Sequence, residues 1–168
     1  MQQHRAGNHQ QAQVLYGEIL QDNPENDMAL YYFGIMAFEL GHYETAIENL
    51  KKAILINPVY EYYKDLGNIY FDLDRKQEAI QSFDKALLIN GNDVDVWFNL
   101  GLLYQQIKDM GKAVLSFENV IRLNNNDLEA YNHLGSIYYN ELKDSNKAIE
   151  YFNKAVALNP ELGYFNLA

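Results

Sequence analysis

Proline, glycine and alanine recur along this chain with one shared period. Pro24 and Pro58 stand 34 residues apart, and Pro160 follows after 102, three times that interval. Gly34, Gly67, Gly101 and Gly135 are spaced by 33, 34 and 34 residues. Ala12, Ala46, Ala79, Ala113 and Ala148 are spaced by 34, 33, 34 and 35. Three residue types locked to one period make the chain a tandem repeat. A unit of this length cannot bury its apolar side alone, so consecutive copies must stack.

Each copy carries two helical faces. The first surrounds the glycine: Leu30, Phe33, Gly34 and Ala37, then Tyr63, Leu66, Gly67 and Tyr70. The later copies read Trp97, Leu100, Gly101 and Tyr104, then Tyr131, Leu134, Gly135 and Tyr138. Their spacing of i, i+3, i+4 and i+7 is one side of an α-helix. The second face surrounds the alanine, as in Ala46, Ile47, Leu50, Ala53 and Ile54, and ends in Ala148, Ile149, Phe152, Ala155 and Val156. A glycine inside a helix costs about 1 kcal/mol relative to alanine. Four at one register therefore predict close approach of the first helix to its partner, with Phe83, Phe117 and Phe152 filling the space beside the missing Cβ. Turns are expected at Gly41-His42, Leu73-Asp74, Lys108-Asp109 and Leu142 to Asn146, the last one residue longer. Asn-Pro or Asn-rich links join the copies, and Asp27, Asp93 and Asp127 are placed to cap the helices that follow.

Composition removes several classes of function. There are 13 Lys plus Arg against 23 Asp plus Glu, a formal net charge of −10. That argues against binding a phosphate backbone. The absence of cysteine excludes disulfides, thiol nucleophiles and thiolate metal sites, and fits a reducing, cytoplasmic setting. No run of about 18 apolar residues exists to insert into a membrane, and Met1 to Gln11 lacks the apolar core of a signal peptide. Abundant Ala, Leu, Ile, Glu and Lys favour an all-α fold.

The 34-residue unit, with Trp or Tyr, Leu-Gly and Tyr in the first helix and Ala, Phe, Ala and Pro after it, resembles the tetratricopeptide repeat. The resemblance covers essentially the whole chain. It implies a right-handed superhelical solenoid of antiparallel helix pairs, with the first helices lining a concave groove. On this basis residues 1–168 form one solenoid: a partial repeat over 1–26, full repeats over 27–59, 60–93, 94–127 and 128–161, and the start of a further helix over 162–168. Ala37 stands where Tyr is usual, and Gly91 and Asn125 where Pro is usual. Neither end has the polar cap a solenoid needs, so the chain is expected to be a piece of a longer array, or else to self-associate through its open end repeats.

Little in the sequence points to catalysis. There is no Gly-rich phosphate loop. His4 and His9 are five apart, and His42 and His133 stand alone, so no histidine pair has metal-ligand spacing. Asp72 and Asp74 begin like a calcium loop, but the required Gly and closing Glu are missing. The chain is expected to be a non-enzyme without cofactor or metal.

The groove is the expected site. The resemblance points the second, fifth, ninth, twelfth and thirteenth positions of each first helix into it. From these the candidate peptide-binding residues are Tyr31, Phe38, Glu61, Lys64, Asn68, Phe71, Asp95, Phe98, Glu129, Asn132 and Tyr139, joined by Asn99 and His133. Five acids at groove positions (Glu39, Glu61, Asp72, Asp95 and Glu129) face one base, Lys64. That balance, with the aromatics between, suits a peptide segment carrying Lys or Arg and apolar anchors. Some family members clamp the C-terminal carboxylate of a chaperone tail with Lys and Asn. Lys64, Asn68 and Asn99 match that pattern, but Glu129 replaces a Lys and would repel the carboxylate. A second resemblance is to the repeats that select acceptors in bacterial relatives of O-linked N-acetylglucosamine transferases, carried by Ala6 to Ala12 and Leu15 to Leu20. The asparagine ladder of those repeats would fall at Tyr32, Asp65, Asn99 and His133, with Asn166 a further rung, and only Asn99 and Asn166 are asparagines. The expected function is a scaffold for protein–protein interaction. The alternatives are the acceptor-selecting region of a larger glycosyltransferase and a self-assembling scaffold.

Overall fold

The computed structural model describes residues 9–159. His4, Pro160, Asn166, the start of the partial first repeat and the helix expected over 162–168 lie outside the described residues. Among those described there are nine α-helices and no strand: α1 His9–Asp22, α2 Asp27–Glu39, α3 Tyr43–Ile56, α4 Tyr60–Asp72, α5 Lys76–Ile89, α6 Val94–Gln106, α7 Met110–Leu123, α8 Leu128–Asn140 and α9 Ser145–Leu158. From α2 onward, first helices of 13 residues alternate with second helices of 14. The fold is all-α, an array of helix pairs. It divides into two compact units, Met1–Gly91 and Asn92–Ala168.

In the first unit α2 pairs with α3 and α4 with α5, and α1 packs on α2. Leu50 of α3 and Phe83 of α5 are fully buried. A Cβ on Gly67 would lie 2.6 Å from the Phe83 ring, and one on Gly34 would run into Leu50. In the second unit α6 pairs with α7 and α8 with α9. A Cβ on Gly101 would lie 2.6 Å from Phe117, and one on Gly135 2.6 Å from Phe152. The repeated glycines are thus seats for the partner helix's large side chain. Ile149 departs from expectation: the sequence pattern puts it on the buried face beside Ala148, yet it is 57% exposed on α9.

The turn within each pair follows one recipe. After α4, Asp74 takes φ 55°, the Asp74 amide donates to the Phe71 carbonyl at 3.0 Å, and the Arg75 amide donates to the Tyr70 carbonyl at 2.8 Å. Gly41 after α2 and Lys108 after α6 repeat this Schellman geometry, at φ 80° and 64°. After α8 the turn holds one more residue, and the Asp144 amide reaches back to the Tyr138 carbonyl. That insertion produces the 35-residue step to Ala148. A left-handed residue other than glycine costs about 1–2 kcal/mol. Lys108→Gly is therefore expected to stabilise the chain by about 1 kcal/mol, read as a higher urea midpoint. The ion pair it removes, Lys108 to Glu141 at 3.6 Å, is largely exposed and contributes little. An unchanged or lower midpoint would show that the lysine carries no conformational cost there.

Capping partly follows the sequence. Asp93 and Asp127 accept the amides of Val96 and Ala130, each at 2.9 Å. At the start of α2 the cap is Asn26, whose side chain accepts the Ala29 amide at 2.9 Å, and not Asp27 as expected. Asp27 is the first helical residue and its carboxylate is used elsewhere: Oδ2 accepts from Asn57 Nδ2 at 2.8 Å and from the Tyr62 hydroxyl at 3.0 Å.

Candidate functional site

The first helices are buried on the side of the repeated Leu-Gly and on a second side that the sequence pattern did not single out. The latter comprises Ala29 and Met36 on α2, Tyr62 and Ile69 on α4, Val96 and Leu103 on α6, and Ala130 and Ile137 on α8, all buried. Only the remaining face is open. In the first unit it presents Met28, Tyr31, Ile35, Phe38 and Glu39 from α2, and Glu61, Lys64, Asn68, Phe71 and Asp72 from α4. In the second it presents Asp95, Phe98, Leu102, Gln105 and Gln106 from α6, and Glu129, Asn132, Ser136, Tyr139 and Asn140 from α8. Every one of these positions is half-buried or exposed, and none is buried. Met28 is 45% and Tyr139 59% exposed.

The candidate residues play different parts within these faces. Tyr31 is tied into the fold. Its ring stacks on Tyr62 at 4.5 Å and meets Tyr32 edge-on at 4.9 Å. Its hydroxyl donates to Asp65 Oδ2 at 2.5 Å. Burial, the bond to Asp65 and the nearby charge of that carboxylate raise its pKa far above the ordinary tyrosine value. Burial also raises the pKa of Asp65, while the Tyr31 hydroxyl, the Lys64 charge and a hydrogen bond from Asn68 act against that rise. Lys64 and Asn68 thus both attend an internal carboxylate, and Lys64 also lies 5.9 Å from the Tyr60 ring. This engagement weakens the match to a clamp for a free C-terminus. Phe38 is half-buried with Tyr43 5.6 Å away, Phe71 is half-buried, and Glu61 is exposed.

In the second unit Phe98 is a half-core residue. It meets Phe117 edge-on at 5.5 Å and His133 at 5.6 Å. The His133 ring stacks on Phe117 at 4.7 Å, nearly parallel. Burial lowers the His133 pKa, with the charges of Glu129 and Asp127 opposing. His133 is therefore an aromatic neighbour of the core rather than a cationic contact. Asn132 has its Oδ1 buried with no protein partner. Asn99 is half-buried, and Asp95, Glu129 and Tyr139 are exposed. The proposed asparagine ladder fares no better: Tyr32, Asp65 and His133 are all engaged in internal contacts.

Sequence reasoning missed a cleft in the first unit of about 360 Å³, lined by Asp27, Met28, Tyr31, Tyr32, Asn57, Val59, Glu61 and Tyr62. The signal was present. Residues 33 to 35 apart become neighbours when one repeat stacks on the next, and Asp27–Tyr62 and Tyr31–Asp65 are separated by 35 and 34. Among the described residues no group of three His, Asp or Glu could hold a metal ion, and no helix is long and apolar enough to cross a membrane.

Comparison with known proteins fits this geometry. Family profiles described as tetratricopeptide repeat or TPR repeat match residues 3–68, 67–108, 94–127 and 128–162. No curated protein matches. Among solved structures, MamA superimposes with a TM-score of 0.84 at 27% identity, over 98% of this chain and 96% of that one. YrrB, described as a TPR protein with an unusual peptide-binding site, gives 0.83 at 20% identity over 95% and 82%. MamA from Desulfovibrio magneticus RS-1, from residue 41 to its end, gives 0.80 at 20% identity over 95% and 90%. None of these names a glycosyltransferase, so that second resemblance has no support here. With repeats matched from residue 3 to residue 162 and the helix pairs in place, the chain belongs to the tetratricopeptide repeat family.

Proposed function

We propose that this chain is a non-catalytic interaction module whose open first-helix faces dock a peptide segment of a partner protein. The supporting observation is the contrast between faces. Two sides of each first helix are packed shut, while the third keeps Met28, Ile35, Phe38, Phe71, Leu102 and Tyr139 in partial or full contact with water. Stability alone does not call for apolar groups at those positions, whereas a docked segment uses them as anchors. Exposed acids on the same faces (Glu39, Glu61, Asp72, Asp95 and Glu129) favour a segment carrying Lys or Arg together with apolar residues. The similarity to YrrB lends the fold, and its described peptide-binding site shows that such an array can take a peptide.

A peptide array probed with the labelled 168-residue chain tests this. Phe71→Ala and Tyr139→Ala are each expected to weaken retained peptides by about 1–3 kcal/mol. Tyr139 is 59% exposed, so its variant should melt like the parent, and affinity for the half-buried Phe71 variant is read below its own melting transition. Phe98 is a poorer probe because its removal disturbs Phe117. Wild-type affinity in the double variant would sink the assignment of these faces.

A further inference from the structure

The cleft between α2, the Asn57–Val59 link and α4 contains two residues that break the repeat, Asp27 and Tyr62. At the register of Tyr62 the other copies carry Ala29, Val96 and Ala130. At the register of Asp27 they carry Tyr60, Val94 and Leu128. Three copies therefore fold with apolar groups in at least one of these two places. Asp27 from one copy and Tyr62 from the next meet where these two copies stack, since the Tyr62 hydroxyl donates to Asp27 Oδ2 at 3.0 Å. Asn57 Nδ2 donates to the same oxygen at 2.8 Å, and this bond lowers the Asp27 pKa further below its ordinary value. A local departure from a repeat's own pattern, complete with matched partners, marks a place shaped for something other than stacking.

The chemistry of the cleft is that of a cation seat. Tyr31, Tyr32 and Tyr62 bring three contiguous rings to it. Tyr31 and Tyr62 each donate their phenolic proton to a carboxylate, Asp65 and Asp27. Such donation pushes electron density back into the ring and strengthens its pull on a cation. Two carboxylates, Asp27 and Glu61, line the cleft, and the whole chain carries a net −10. The volume of about 360 Å³ is ample for one long basic side chain with its stem against Met28 and Val59. We infer that this cleft seats one Lys or Arg side chain of the docked segment and sets the basic preference of the module. The inference rests on the docking function proposed above. It adds the place and the residues that read the charge, of which Asp27, Asn57 and Tyr62 lie outside the binding positions expected from sequence.

The test is an NMR titration of the 168-residue chain with N-acetyl-arginine amide, N-acetyl-lysine amide and the neutral isostere N-acetyl-citrulline amide. The two cations are expected to give saturable shifts at Tyr31, Tyr32, Asn57 and Tyr62, with citrulline weaker by about tenfold. Glu61→Gln, an exposed change that should leave melting untouched, is expected to weaken the cations several-fold without affecting citrulline. Absence of saturable shifts at the cleft, or an equal response to citrulline, overturns the inference. If array peptides bind with Phe71 and Tyr139 dependence but show no Lys or Arg requirement, the cleft assignment falls and docking stands. If the cations fill the cleft but the array retains nothing, docking falls, and with it the assignment to a partner's side chain.

Discussion

Phe117→Ala is expected to destabilise the second unit by about 3–5 kcal/mol. The ring is fully buried in α7 and touches both neighbouring first helices. Phe98 of α6 meets it edge-on at 5.5 Å, and His133 of α8 stacks on it at 4.7 Å. Gly101 lies so close that even a methyl group would strike the ring. One side chain thus joins three helices, and its removal leaves a cavity that rigid helix backbones on both sides cannot easily close. The stacked His133 would also lose the surface that covers it. Trp97, the single tryptophan, sits on α6, so its fluorescence reports this unit during urea unfolding. A shift of the Trp97 transition by less than about 1 kcal/mol would mean that the ring is not the joint described here. Phe117→Leu, which retains most of the volume, should fall well short of the alanine variant.

Much of this packing was legible because it repeats. Gly67, Gly101 and Gly135 against Phe83, Phe117 and Phe152 could be paired from spacing alone, and the structure brings each pair together. The longer turn after α8 could be read from one 35-residue step. The second buried side of the first helices could not. One of its registers holds Ala29, Tyr62, Val96 and Ala130 and the other Met36, Ile69, Leu103 and Ile137, so the letter changes from copy to copy and no single recurring residue announces it. The cap of α2 falls one residue before the one the sequence suggests, because Asn26 and Asp27 are both good caps and only backbone geometry separates them.

The candidate site divides along the same physical line. Resemblance gave the open face of each first helix, and all its expected positions remain at least partly exposed. It could not say which aromatics are engaged by the fold, because that depends on partners one repeat away. Tyr31 is held by Tyr62 and Asp65, and Phe98 by Phe117 and His133. Tyr139, by contrast, is 59% exposed. The period itself carries the missing information, because a residue about 34 further on is the first place to look for a neighbour. Glu118 and Tyr151, 33 apart and hydrogen-bonded at 3.4 Å, follow the same rule in the second unit.

The same exchange at two glycines should act with opposite sign. Gly17 lies within α1 with nothing within 4 Å of where a Cβ would be. Gly17→Ala should therefore recover the helix propensity that glycine forfeits, a gain of about 1 kcal/mol. At Gly101 a Cβ would lie 2.6, 2.7 and 2.9 Å from three ring atoms of Phe117. Phe117 cannot retreat, because Phe98 and His133 hold it from other sides. Gly101→Ala should lose about 1–3 kcal/mol despite the better helix former, and Gly101→Val should lie at or beyond the top of that range. The clash is with one side chain, so shortening that side chain should relieve it. In a double-mutant cycle Gly101→Ala should be much less harmful on a Phe117→Leu background, with a coupling of about 0.5–3 kcal/mol. A neutral Gly101→Ala, or a cycle without coupling, would show that the glycine register is kept for some reason other than close approach. A destabilising Gly17→Ala would instead mean that α1 is not the regular helix it is taken to be. Opposite signs at Gly17 and Gly101, with coupling to Phe117, would tie the recurrence that defines this sequence to a single physical cause, the seat each glycine leaves for the large side chain of the partner helix.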